Sequence, residues 1–129
     1  MSHRANYARC TVQQQVGPSA DALDVPWAEF TGDRTDPVSF EVPTAEPAEP
    51  YVEVQVYDVS EFSHEILVNG EPLTGFDIAP GEGWQYWMDT IGAAHLHEGE
   101  NTIQFRRDAD TDDAFVVGTA VVHWKEPVE

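Results

Sequence analysis

The sequence predicts an all-β chain folded as an antiparallel β-sandwich of two sheets. Three observations carry that expectation. Apolar and polar residues alternate in short runs, as in Y-V-E-V-Q-V-Y-D at 51–58, the pattern of a strand with one buried face. Turn signals such as Asn69-Gly70 separate these runs at intervals of about 8 to 12 residues. No stretch carries the 3.6-residue periodicity of an amphipathic helix.

Taken in order, residues 5–16 carry β-formers at two-residue spacing and predict a first strand, ended by Gly17-Pro18-Ser19. Residues 20–30 hold Leu23, Val25, Trp27 and Phe30, and Pro26 argues against a helix there. That segment predicts a short turn or strand plugging a sheet edge. Residues 31–37 predict a loop, and Val38, Phe40 and Val42 share one face of the next strand. P-T-A-E-P-A-E-P at 43–50 predicts a stiff surface connector. Beyond it, Val52, Val54 and Val56 point one way, and Glu53, Gln55 and Tyr57 the other.

Residues 64–69 predict a strand with Ile66 and Val68 set against Glu65 and Leu67, closed by Asn69-Gly70. Residues 76–78 predict a short strand. In 84–88, Trp84, Tyr86 and Met88 share one face and Gln85 and Trp87 the other. Residues 90–96 predict a single helical turn, and 98–101 a turn. Ile103 and Phe105 point inward, and 108–113 form an acidic loop. Residues 114–124 read as the longest strand, apolar enough around 116–122 to be buried on both faces, and Pro127 closes the fold.

At 129 residues the chain predicts a single domain, 1–129. Charge excludes whole classes of partner. The chain carries 24 Asp plus Glu against 6 Lys plus Arg, a net charge of −18. Nucleic-acid affinity comes largely from cations that displace phosphate counterions, so no nucleic acid is expected. Anionic membrane surfaces are disfavoured for the same reason. With 41% hydrophobic residues in periodic runs, disorder is not the reading either. A carboxylate-saturated surface on a folded protein resembles that of halophiles, whose molar salt screens self-repulsion to a Debye length of about 3 Å. No membrane span or apolar leader is visible, and the one cysteine, Cys10, allows no internal disulfide, so a cytoplasmic chain is expected. Cys10 itself reads as a small buried residue.

The segments I-L-V-N-G at 66–70 and L-H-E-G-E-N-T-I at 96–103 resemble two motifs of the galactose-binding-like jelly-roll sandwiches. In that group one strand presents V-x-V-N-G and a later one L-x-x-G-x-N-x-I. The resemblance covers about residues 38–124 and implies a jelly roll related to carbohydrate-binding modules. The whole chain is also similar to a family of small acidic haloarchaeal proteins, through D-V-P-W-A-E-F, H-E-I-L-V-N-G-E-P-L and G-W-Q-Y-W-M-D-T.

Candidate sites follow from residue chemistry. Trp84, Tyr86 and Trp87 are large amphipathic rings that stack on sugars and anchor interfaces. Core packing is their plainer use, and Trp87, opposite in phase, is expected to face outward. The leading expectation is a non-catalytic module binding a protein partner through this patch. The alternative is a carbohydrate or small-ligand site at loops on one sandwich edge, with Arg106 and Arg107 beside the rings. Asp108, Asp110, Asp112 and Asp113 set oxygen ligands close together, the chemistry of a Ca2+ loop. The EF-hand pattern nonetheless fails, with Asp113 where glycine is needed and Thr119 where glutamate is. His95 and His97 would need further ligands, from His64, His123, Glu98 or Glu100, to bind zinc. No nucleophile elbow, H-E-x-x-H or phosphate loop is present, so catalysis is not expected.

Overall fold

Val52, Val54 and Val56 are fully buried, while Glu53, Gln55 and Tyr57 stay partly exposed. This alternation repeats along the strands of two stacked sheets and places one apolar layer between them. The computed structural model describes residues 2–73, 78–92 and 95–128. The strands are β1 (Ser2–Val16), β2 (Glu29–Gly32), β3 (Val38–Val42), β4 (Ala48–Val59), β5 (Glu65–Val68), β6 (Glu71–Pro72), β7 (Gly81–Thr90), β8 (Gly99–Arg106) and β9 (Phe115–Val128). One sheet has the order β2-β1-β9-β4-β7, the other β3-β8-β5-β6. From β3 onward the chain crosses between sheets at every step except the β5–β6 hairpin, so each crossing adds a strand to one side of a shared core. The protein is a two-sheet β-sandwich of jelly-roll type. Among the described residues no helix is long and apolar enough to cross a membrane.

The core is filled from both sheets. Trp124, Phe105, Phe115, Ile66, Ile78 and Ile103 are its largest fully buried apolar side chains. Ile103 and Phe105 point inward as their spacing predicts. Cys10 is buried too, and burial pushes its thiol up to about 11. Asn69 and Gly70 have φ of 52° and 82°, the paired left-handed conformations of a type I′ hairpin turn. The Asn69 side chain does more than turn the chain. Its Nδ2 donates to Asn101 Oδ1 at 2.9 Å and to His95 O at 2.7 Å, and its Oδ1 accepts from Thr102 N at 2.9 Å.

Several elements depart from expectation. The pairing is antiparallel throughout except at one edge, where β2 runs parallel to β1. β2 therefore claims Thr31 and Gly32, which read as loop. The proline segment is not all connector: β4 begins at Ala48 and buries Pro50. A register shift between Ala48 and Tyr51 accommodates it, because a bulge leaves a position without the ladder donor that proline lacks. Leu67 is buried along with Ile66 and Val68, so β5 is covered on both faces. The longest strand is β1, with 15 residues to the 14 of β9, and Pro127 lies within β9 opposite His3. The short strand expected at 76–78 falls mostly outside the described residues; Ile78 is buried outside any strand. Of the turn expected at 90–96, residues 93–94 also lie outside, but His95 N donates to Gly92 O at 2.9 Å.

Candidate functional site

The outward residues of the five-stranded sheet form a surface whose rows follow from strand register. Arg9, Val121, Glu53 and Met88 stand side by side across β1, β9, β4 and β7. Tyr7, His123, Tyr51 and Thr90 make a second row, and Gln55 faces Tyr86 as Tyr57 faces Trp84. Because Cβ atoms alternate across a strand, the buried valines of β4 oblige Glu53, Gln55 and Tyr57 to share this face.

Aromatic rings gather at both ends of it. At one end Trp84 lies 5.3 Å from Tyr57 and 5.6 Å from Trp27, and Trp27 meets Tyr57 edge-on at 5.6 Å. Trp84 leans over Gly118, where an added Cβ would come within 3.0 Å of the indole. At the other end Tyr51 stacks on His123 with centroids 4.5 Å apart, and Tyr7 sits 6.3 Å from the same imidazole. Between the two lies a depression of about 420 Å³ lined by Arg9, Glu53, Gln55, Tyr86, Thr119 and Val121. Its polar groups are held in place. Gln55 Nε2 donates to the Tyr86 hydroxyl at 3.1 Å, and His123 Nε2 lies 2.7 Å from Glu53 Oε1. Arg9 makes no ion pair among the described residues, whereas Arg4, Arg106, Arg107 and Lys125 each have one.

A larger concavity of about 700 Å³ lies at the end of the sandwich, beside Asp58, Glu82 and Asp112. Among the described residues its walls carry neither an aromatic ring nor a cation. Among the described residues this end offers mainly carboxylates, and the ring clusters with mixed hydrogen-bonding groups between them lie on the sheet face.

The structure separates the residues singled out from the sequence. Trp84 and Tyr86 face outward, 50% and 71% exposed, joined by Met88. Trp87 does not: it stands opposite Val54 and packs against the core, so the phase assignment is reversed. Arg106 lies in the other sheet and pairs with Glu65 at 2.6 Å. Arg107 is buried, donating to Asp33 at 2.9 Å and to Thr111 O at 2.9 Å. Arg106 thus bridges β8 to β5 and Arg107 braces loops, and neither flanks the rings.

The acidic loop is also divided. Asp108 accepts from Asp110 N at 3.0 Å, and a hydrogen bond from Ser63 leads the contacts that hold its carboxyl below the usual range. Asp113 turns inward to His64 at 2.6 Å. Among the described residues no group of three or more His, Cys, Asp or Glu is arranged to hold a metal ion. The histidines stay apart: His64 pairs with Asp113, His123 with Glu53, and His97 Nε2 donates to Glu100 O at 2.9 Å. Arg9, Trp27, Tyr51 and Glu53 were not singled out from sequence, and His123 only as a further zinc ligand, although the alternation of β4 already placed Glu53, Gln55 and Tyr57 together.

The model of the "Family of unknown function (DUF7383)" matches residues 4–126. No curated protein sequence matches the chain. Among solved structures, BuGH86 in complex with neoagarooctaose aligns with a TM-score of 0.59 at 13% identity, covering 98% of this chain and 20% of that one. This chain thus corresponds to a small part of that protein. The CBM36-1 domain of a multidomain xylanase from the hindgut metagenome of Trinervitermes trinervoides gives 0.55 at 13% identity, covering 96% of this chain and 99% of that domain. CBM35 from Paenibacillus barcinonensis gives 0.52 at 9% identity, covering 95% and 98%. At these identities the likeness is one of fold, that of carbohydrate-binding-module β-sandwiches.

Proposed function

The chain belongs to the DUF7383 family, and we propose that it is a non-catalytic carbohydrate-binding module whose ligand lies on the outer face of the five-stranded sheet. One observation carries this reading: ring clusters, each with an exposed ring (Trp84 at one end, Tyr7 at the other), stand at both ends of a depression lined by mixed donors and acceptors. A pyranose has an apolar face that stacks on an indole or phenol, and hydroxyls that donate and accept at once. Arg9 supplies donors, Glu53 an acceptor, and Gln55, Thr119 and Tyr86 supply both. The carbohydrate-binding-module fold supports the reading without naming a sugar. Among the described residues the depression is lined by one carboxylate, Glu53, where glycoside hydrolysis ordinarily uses two.

Affinity electrophoresis against soluble xylan, β-glucan, agarose fragments and mannan, in molar KCl, tests the proposal. We expect at least one polysaccharide to retard the protein, with Trp84→Ala removing the retardation and leaving the melting temperature nearly unchanged. Unaltered migration in every gel would sink it.

A protein partner is the second reading, favoured by the run of Trp84, Tyr86 and Met88 along β7, an edge strand. The polar groups interleaved with the rings make it the weaker of the two.

A further inference from the structure

We infer that this face takes an internal stretch of a linear glycan laid along the strands, rather than a single terminal sugar. The inference rests on the carbohydrate reading above and adds to it the shape and length of the ligand. Tyr57 and Tyr51, on the same face of β4, mark the two ring platforms and are six residues apart in sequence. At roughly 3.3 Å per residue that separates them by about 20 Å, a span of several pyranose rings. One sugar covers one platform. Only a chain reaches both.

The direction follows from what ends each line across the face. Along β4 and its neighbours, both ends are aromatic: Trp27, Tyr57 and Trp84 at one, Tyr51, His123 and Tyr7 at the other. Across the sheet, the central row ends in Arg9 on one side and Met88 on the other, and neither offers a ring. A glycan lying along the strands stacks at both ends and sets its middle residues over Arg9, Glu53, Gln55 and Thr119. These are groups that read hydroxyls.

The platforms are also braced for the purpose. Tyr51 lies nearly parallel to His123, at 11°, and His123 is in turn fixed by Glu53. Trp84 is steadied by two other rings and by the close floor at Gly118. A ring already held in place loses little freedom when a sugar stacks on it.

The test is a titration series with xylo-, cello- and agaro-oligosaccharides, each from disaccharide to hexasaccharide, followed by calorimetry on the wild type, Trp84→Ala and Tyr51→Ala. Tyr51 and Trp84 both face outward, so these variants are expected to fold, and a thermal melt of each checks this. For the series that binds, affinity should climb with length until the chain spans both platforms and then level off. Each variant should lower the plateau affinity about tenfold, one stacking contact's worth, and should move the plateau to a shorter chain. Two results overturn the inference while leaving the carbohydrate reading intact: a disaccharide that binds as tightly as its hexasaccharide, or a Tyr51→Ala variant with unchanged length dependence. Binding by no member of any series, together with no retardation by the polysaccharides, overturns both.

Discussion

His64 and Asp113 face each other at 2.6 Å with both side chains out of contact with solvent. Asp108 N–H donates to His64 Nδ1 at 2.9 Å, so Nε2 carries the proton that points at Asp113. Burial pushes the Asp113 carboxyl up, but His64 and the N–H groups of Ser60 and Glu61 outweigh it and hold it below the ordinary value. A carboxyl held low lends stability that is present above its unfolded pKa, about 3.9, and lost as pH falls through the folded value. Melts followed by circular dichroism should therefore be level near neutrality and fall below about pH 4. Asp113→Asn should remove part of that acid dependence. His64→Ala removes one of the three donors to this buried carboxylate and should cost about 2–3 kcal/mol.

Asn101 is 1% exposed and uses its whole amide. Its Nδ2 donates to His97 O and Gly99 O, and its Oδ1 accepts from His97 N and from Asn69 Nδ2. Asn101→Ala leaves those groups unanswered and should lower stability by about 2–3 kcal/mol, read as a shift in urea midpoint at unchanged slope.

Gly118 offers a finer probe of the ring platform than deleting a ring. An added methyl would press on the indole of Trp84 at 3.0 Å, and an exposed indole gives way more easily than the sheet. Gly118→Ala should weaken glycan binding by about three- to tenfold while changing the melting temperature by only a few degrees. Tryptophan fluorescence would report the displaced ring.

Cys10 is fully buried, with its thiol pushed up to about 11. A thiol reagent at mildly alkaline pH should react with the native protein at least about a hundredfold more slowly than with the unfolded chain. One equivalent should appear on adding urea, which makes the reaction a clock for global opening.

The net charge of −18 should make stability depend on salt. Screening shortens the range of self-repulsion from about 10 Å at 0.1 M to about 3 Å at 1 M. The melting temperature should rise on titrating KCl into a low-salt solution, and a flat response would contradict this.

Much of the sandwich was legible in the chain because burial on one face enforces a period of two. Val52, Val54 and Val56 announce β4, and Asn69-Gly70 announces its hairpin by the conformation the turn demands. The same period leaves a sign undetermined. Alternation sorts Trp84, Tyr86 and Met88 from Gln85 and Trp87 without saying which set is inside, and it is pairing with Val54 that draws Trp87 to the core. The site was less legible for a related reason. Arg9, Glu53 and Tyr86 become neighbours only through the registers of β1, β9, β4 and β7, and Trp27 joins Trp84 from a segment with no regular pattern. Pro50 misled because a bulge removed the penalty that proline ordinarily brings to a strand.

Ser2 lies opposite Val128, and β1 runs antiparallel to β9 from there inward. Tension applied between residues 2 and 128 would act along the hydrogen bonds rather than along the strands, parting the pairs one after another. The first fastening to bear the load is the Glu126 carboxylate, which grips Arg4 at 2.9 Å and Asn6 at 2.9 Å across the ladder. Behind it comes the row of Tyr7 and His123. Mechanical peeling would thus dismantle one ring platform long before it reached Trp84, and a bound glycan would lose its hold from that end.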